Sequence, residues 1–288
     1  MNHFILSDEL ITKIGRLSVA TSSKLRGHHK GSHRSQRFGS SLDFSDYREY
    51  ALGDDVRQVD WNVFARTEKY FIKRFLDEQE MRVHILLDSS RSMGDEKKWL
   101  FARQLVAALG IMVLNRDDRL SFSTLEADTF FRRKGAIYRK AYLQIVSQMK
   151  EATFKESFAK NGLKALPKDS TVLFVITDSL EPITEWEHFF RKLPRFAGDV
   201  RCIQIVTEEE LNPTYTGDVR LIDAESNEEL NVSMSNKVLE QYKKERAQHE
   251  AAFHKICSRF GIRTIQLVVE NGIQHAIFHQ LLMNRWVQ

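Results

Sequence analysis

Residues 82–94 read RVHILLDSSRSMG. A short, largely apolar run at 83–87 ends on Asp88, and a D-x-S-x-S pattern leads from there into helical spacing over 99–114, with Asp95 placed as the N-cap. A second apolar run, 171–177, also ends on an aspartate, Asp178, ninety residues further on. Around these two runs, strand and helix alternate. The pattern predicts further strands at 120–124, 129–131, 200–206 and 263–269. It predicts helices at 138–149, 154–166, 186–193 and about 235–260, and a closing helix from Gln274. A hairpin is expected over 219–223 and 229–232, around Ser226-Asn227. Strands separated by helices of this length imply an α/β fold, a doubly wound and mostly parallel sheet covered on both faces. The expected division is an amino-terminal segment, 1–80, packed on a main domain at 81–288 that carries a hairpin insertion near 211–233.

Ahead of residue 81 the signals differ. Leu10, Ile11, Ile14, Leu17 and Val19 approach helical spacing behind Ser7, a good N-cap. The stretch 24–37 holds five Lys or Arg and three His with no acid, and it reads as a loop up to Ser41. It has no interleaved aromatics to stack on bases, which argues against single-stranded nucleic acid as its partner. Gly53-Asp54-Asp55 predicts a turn, and 70–76 alternates as a strand does. In 42–66, Asp60, Arg57, Arg66 and Trp61 are expected to form a buried polar network that fastens this segment to the sheet. The other reading is a docking surface.

The composition, 42% hydrophobic and 28% charged with a net charge of +4, is that of a globular chain with a full core. Its longest apolar run, 105–114, is about half of a bilayer span, and its first residues lack the basic and small-residue features of a signal peptide. Two cysteines, Cys202 and Cys257, form neither a metal cluster nor a disulfide framework and are expected as reduced core thiols. The expected location is cytoplasmic.

In open parallel sheets ligands bind beyond the carboxyl ends of the strands. There Asp88, Ser90 and Ser92 can turn alternate oxygens toward one point, with Asp178 from the second run facing them. Two carboxylates and a few neutral hydroxyls suit a hard divalent cation. The scarcity of carboxylates favours Mg²⁺, with Mn²⁺ or Ca²⁺ as alternatives. A cation held this way keeps coordination positions open for a carboxylate from a partner protein. Enzymatic readings are weaker. An Asp88 nucleophile in a metal-dependent phosphatase or hydrolase would want an acid two residues on, where Ser90 stands, and no phosphate-binding G-x-x-x-x-G-K-[ST] loop is present. Nucleic-acid binding through 24–37 is a third class, and it predicts steep salt dependence without metal dependence.

The run RVHILLDSSRSMG also resembles the first strand and metal loop of von Willebrand factor type A domains. Leu42-Asp43-Phe44, Arg48-Glu49-Tyr50, Gly53-Asp54-Asp55, Arg57, Asp60-Trp61, Ala65-Arg66, Lys73 and Glu78 resemble the signature of bacterial domain-of-unknown-function family 58, as do Gly217–Asp223 and Glu228-Glu229-Leu230. The resemblance implies a type A fold with a metal-ion-dependent adhesion site at Asp88, Ser90, Ser92 and Asp178. It adds Thr153 as the middle ligand, although Ala152 and Phe154 stand where the family shows Gly before the threonine and Asp or Asn after it. It further implies a non-enzymatic interaction module partnered with a MoxR-type AAA+ ATPase, with a client protein, or with both, in chaperone-like assembly. No small-molecule substrate is expected.

Overall fold

The computed structural model describes residues 5–21, 30–38, 44–126, 130–150, 152–223 and 228–288, with 30–38, 44–46 and 74–79 described as backbone. It divides into two compact units, Leu25–Met81 and a larger one of Met1–Lys24 with Arg82–Gln288.

The chain opens with helix α1 (Asp8–Ile14), capped as expected by Ser7, whose hydroxyl accepts from the Leu10 amide. This helix belongs to the larger unit. The smaller unit follows as strands β1 (Lys30–Phe38) and β2 (Phe44–Glu49), helix α2 (Trp61–Thr67) and strand β3 (Phe71–Gln79). Both β1 and β2 pair antiparallel with β3. The expected loop up to Ser41 is therefore corrected over 30–38. The backbone pairs with β3, although KGSHRSQRF has no apolar alternation that would announce a strand. Residues 24–29 and 39–41 of that expectation lie outside the described residues.

The expected polar network in 42–66 is also smaller than read. Asp60 is buried, caps α2 through the Asn62 amide, and accepts from Tyr47 Oη and Lys73 Nζ at 2.9 Å each. Lys73, with Tyr47 and backbone amides adding to it, holds the Asp60 carboxyl down at about 2. The other three members stay at the surface. Arg57 pairs with Asp55, Arg66 reaches the Asn62 carbonyl, and Trp61 is 56% exposed beside Phe64 and Tyr70.

The larger unit continues as β4 (Arg82–Leu87), α3 (Glu96–Leu114), β5 (Arg119–Ser123), β6 (Phe131–Lys134), α4 (Arg139–Gln148), α5 (Phe158–Asn161), β7 (Ser170–Thr177), α6 (Ile183–Phe190), β8 (Ala197–Val206), α7 (Glu208–Leu211), β9 (Gly217–Ile222), β10 (Glu229–Met234), α8 (Asn236–Arg259), β11 (Arg263–Val268) and α9 (Gly272–His275), the last running on as a π-helix, Ala276–Leu281. The main sheet has the order β11-β8-β7-β4-β5-β6 and is parallel except for its edge strand β6. The doubly wound α/β expectation holds, and so do the two paired strands of the hairpin, as β9 and β10, while its expected turn at Ser226-Asn227 lies outside the described residues.

Two layers of helix cover the sheet. On one face Leu86, Leu173, Val175 and Cys202 meet Phe158 of α5, Trp186, Phe189 and Phe190 of α6, and Phe253 and Cys257 of α8. Helix α3 contacts α1, α4 and α9, and it is apolar almost all round because it is buried almost all round. Cys202 and Cys257 are free and buried. The helix expected over 154–166 begins only at Phe158. Ser157 caps it, and the buried Glu181 carboxylate accepts from the Phe158 and Ala159 amides. This frees Phe154 to bridge Ser90 as an isolated parallel pair.

Candidate functional site

The order of strands positions the site. Strands β4 and β7 are neighbours, but the chain leaves β4 toward β5 and β7 toward β8, in opposite directions along the sheet, and a crevice opens where the connections part. Asp88 and Asp178 stand at that point. The Asp88 amide donates to the Ile176 carbonyl at 2.8 Å, the last rung of the β4–β7 ladder, so the two strand ends are in register.

The loop after Asp88 is fixed by its own polar groups. Asp88 Oδ1 accepts from the Ser90 amide at 2.8 Å, and Oδ2 accepts from Thr177 Oγ1 at 2.7 Å. Ser90 Oγ and Ser92 Oγ are 3.0 Å apart. Asp88, Ser90 and Asp178 are buried. Burial first, and then the charge of Asp178, push the Asp88 carboxyl well above the ordinary carboxylate range, so the pocket is short of positive charge.

The Ser90 and Ser92 hydroxyls, hydrogen-bonded to each other, also have the spacing of two neighbouring ligands of a hard cation. Neighbouring ligands in an octahedron with bonds of about 2.1 Å are separated by about 3.0 Å, which is the Ser90–Ser92 spacing. Among the described residues no three His, Cys, Asp or Glu side chains gather at metal-binding spacing. A cation here would rest on two carboxylates and hydroxyls, a set that suits Mg²⁺ better than zinc or a carboxylate-rich calcium site.

Thr153 is brought to this loop but not turned into it. The Phe154 amide donates to the Ser89 carbonyl at 3.0 Å and the Arg91 amide to the Phe154 carbonyl at 3.2 Å, which ties the strip before α5 to the metal loop. Thr153 itself is exposed, and its hydroxyl donates to Glu126 at 3.4 Å.

Three features went unread in the sequence. Thr177, one residue before Asp178, steadies Asp88. Ser179 has a left-handed backbone (φ 61°), held by its amide to Thr177 Oγ1, by Gln204 Nε2 to its hydroxyl at 2.7 Å and by His249 Nε2 to its carbonyl at 2.8 Å. A non-glycine residue held at positive φ beside a candidate site is backbone strain that the surroundings maintain. The third is Lys98, in the first turn of α3. Its side chain is 2% exposed, and its ammonium donates to the Ser92 carbonyl at 3.3 Å, to Asp178 Oδ2 at 3.5 Å and to Glu210 of α7. Burial disfavours the ammonium, but Asp178 and Glu210 outweigh it and raise its pKa. The adjacency of Lys98 to the metal loop is visible in sequence, whereas Glu210, 112 residues away, is not.

Beyond Lys98 a cavity of about 960 Å³ opens between α7, the β9–β10 hairpin and the first turns of α8. Leu221, Leu230, Val232 and Met234 line its hairpin wall, and Val238, Leu239 and Tyr242 line the opposite one.

These features define a doubly wound α/β protein with a hard-cation candidate at its switch point. The chain belongs to the family described as protein of unknown function DUF58, whose model matches residues 46–252. It is 25% identical over 186 residues to uncharacterized proteins of Mycobacterium tuberculosis and Mycobacterium bovis. Those alignments cover 61% of this chain and 59% of each relative. Among solved structures it is similar to the conserved hypothetical protein BatB from Bacteroides thetaiotaomicron, at 14% identity and a TM-score of 0.38, covering 71% of this chain and 98% of that one. The SpRpn10 VWA domain is similar at 10% identity and a TM-score of 0.39, covering 70% and 95%. Among the described residues no helix is long and apolar enough to cross a membrane.

Proposed function

We propose that this chain is a protein-interaction module whose binding runs through a divalent cation, Mg²⁺ or Mn²⁺, held by Asp88, Ser90, Ser92 and Asp178. The partner supplies a carboxylate to the open position. The observation that carries this reading is the pairing of two strand-end carboxylates with the Ser90–Ser92 hydroxyls, 3.0 Å apart, at the switch point. The surroundings favour binding over turnover. Both Asp88 oxygens are engaged by Ser90 and Thr177, which suits a loop anchor better than a nucleophile. His84, the nearest histidine in sequence, is buried inside β4 and bonds Ser123. Within the cell the module is an adaptor between a client and a MoxR-type AAA+ ATPase, a partnership that the family resemblance suggests. Two free buried cysteines agree with a reducing, cytoplasmic setting.

Calorimetric titration of Mn²⁺ into metal-free protein tests the site. Wild type is expected to bind one ion, and Asp88→Asn and Asp178→Asn to lose at least tenfold in affinity while circular dichroism stays unchanged. Equal affinity in folded variants would remove these carboxylates from the site. Capture of a candidate ATPase or client with and without chelator then tests the partnership.

A further inference from the structure

Lys98 is the group that the cation reading leaves unexplained. Lysine is almost never fully buried without partners, and all three of its donors are used here, on Ser92 O, Asp178 Oδ2 and Glu210. Two of those partners belong to the candidate metal site, one in its loop and one a carboxylate ligand. The third does not. Glu210 sits in α7, where its second oxygen accepts from the Thr207 amide at 2.8 Å and closes a capping box. The ammonium lies tight against Glu210 but 3.5 Å from Asp178, so it can release Asp178 and keep its main partner. The charges close as well. With Asp88 ionised, as a metal ligand would be, Asp88, Asp178 and Glu210 set against one ammonium leave two negative charges, the charge of a single divalent cation.

We propose that Lys98 is the resident counter-cation of this site: it covers Asp178 while no metal is bound, and it yields Asp178 to the divalent ion while Glu210 retains it. The proposal rests on the metal reading above and adds a competitor and a switch partner to it. Glu210 is a positioning residue that keeps the lysine from claiming Asp178 outright. Metal occupancy is thereby linked to α7 and to the wall of the neighbouring cavity, which both Lys98 and Glu210 line.

The test is Mn²⁺ titration by calorimetry on the full chain, comparing wild type, Lys98→Met and Glu210→Gln, with thermal unfolding of each in chelator. Lys98→Met is expected to bind Mn²⁺ about tenfold more tightly or better, because a positive charge has left the site. In chelator it should melt lower than wild type, and Mn²⁺ should restore more of its stability. Glu210→Gln is expected to bind several-fold more weakly, since Lys98 then has Asp178 as its remaining carboxylate. If wild type binds the ion and Lys98→Met binds no more tightly, the counter-cation role is overturned while the metal site stands. Should Lys98→Met fail to fold without metal, Glu210→Gln decides, and unchanged affinity there overturns the proposal. Absence of binding in all three folded proteins would sink the metal reading, and this proposal with it.

Discussion

Burial acts on His84 and Asp88 in opposite senses, although the two lie only four residues apart in sequence, one inside β4 and one at its end. For Asp88 a low-dielectric pocket beside Asp178 raises the pKa and leaves a demand for positive charge. For His84 burial, with Arg132 adding to it, lowers the pKa to about 3. The imidazole is therefore neutral, with Nε2 2.9 Å from Ser123 Oγ and Nδ1 without a partner among the described residues. Ser123 donates its own proton to the Ala165 carbonyl at 3.0 Å, so Nε2 carries the hydrogen. The consequence for stability follows from the sign of the shift. The unfolded chain takes up a proton as pH falls through about 6.5, and the folded chain resists until about 3, so stability declines with pH across that window. Between pH 7 and pH 5 the loss is about 2 kcal/mol. Urea unfolding of wild type and His84→Gln at pH 7 and pH 5 measures it, because glutamine keeps a donor but has no proton to gain. Wild type should lose about 2 kcal/mol more than the variant. Equal losses would mean that the ring ionises in the folded protein.

At the scale of elements, α3 is the most buried helix of the larger unit, and at Gly110 a side chain of α4 lies directly against its backbone. A Cβ at 110 would fall within the ring of Tyr142, whose hydroxyl donates to the Val106 carbonyl at 2.8 Å and whose ring also packs on Phe122 and Phe131. On an exposed helix, Gly→Ala stabilises by about 1 kcal/mol. Here the methyl must displace a buried aromatic, and overpacking of that kind costs about 1–3 kcal/mol. Gly110→Ala is therefore expected to lower the melting temperature, and a rise would show that α4 has room to move. A glycine in a helical pattern reveals nothing of the tyrosine 32 residues away, and this marks the limit of what the sequence discloses. Strands such as β4 and β7 were legible because burial on both faces demands a largely apolar run, and the hairpin because its two strands follow one another closely in sequence. Strand β1 was not, since its pairing with β3 is non-local and its composition polar. The start of α5 was missed partly for a similar reason, because Glu181, on a later loop, holds its first amides alongside the local cap Ser157. The site followed the same division. Asp88, Ser90, Ser92 and Asp178 announce themselves at strand ends, whereas the link from Lys98 to Glu210 exists only once the chain is folded.

At the scale of the whole larger unit, the problem is closure of a chain whose paired segments lie far apart in sequence. Ser18 and Gln288 exchange two backbone hydrogen bonds of 2.9 Å, and the Ala20 amide donates to the Trp286 carbonyl at 3.0 Å. Arg201, inside β8, fastens this junction from below. Its fully buried guanidinium donates to the Trp286 carbonyl at 2.8 Å, to the Ala20 carbonyl, and to Asp199, while it lies over the rings of Phe174 and Trp286 at 5.2 and 5.7 Å from their centres. In sequence it is one of two charges, with Asp199, in a largely apolar strand. In the fold it satisfies two carbonyls from segments 266 residues apart, numbered 20 and 286. Asp199 keeps a second partner in Arg263 at 2.7 Å, so removal of Arg201 would not leave that carboxylate unpaired. The loss would fall on the two carbonyls and on the aromatic stack. Arg201→Met fills much of the same volume, and it is expected to destabilise the unit by about 3 kcal/mol, as breaking a buried ionic contact does. Arg201→Lys should not restore stability, because a single ammonium lacks the planar fork that reaches both carbonyls and the carboxylate together. Urea unfolding, with Trp286 fluorescence as the probe of the junction, distinguishes the outcomes. If methionine and lysine both unfold at the wild-type midpoint, the junction is held by its backbone pairing and Arg201 is not what closes the fold.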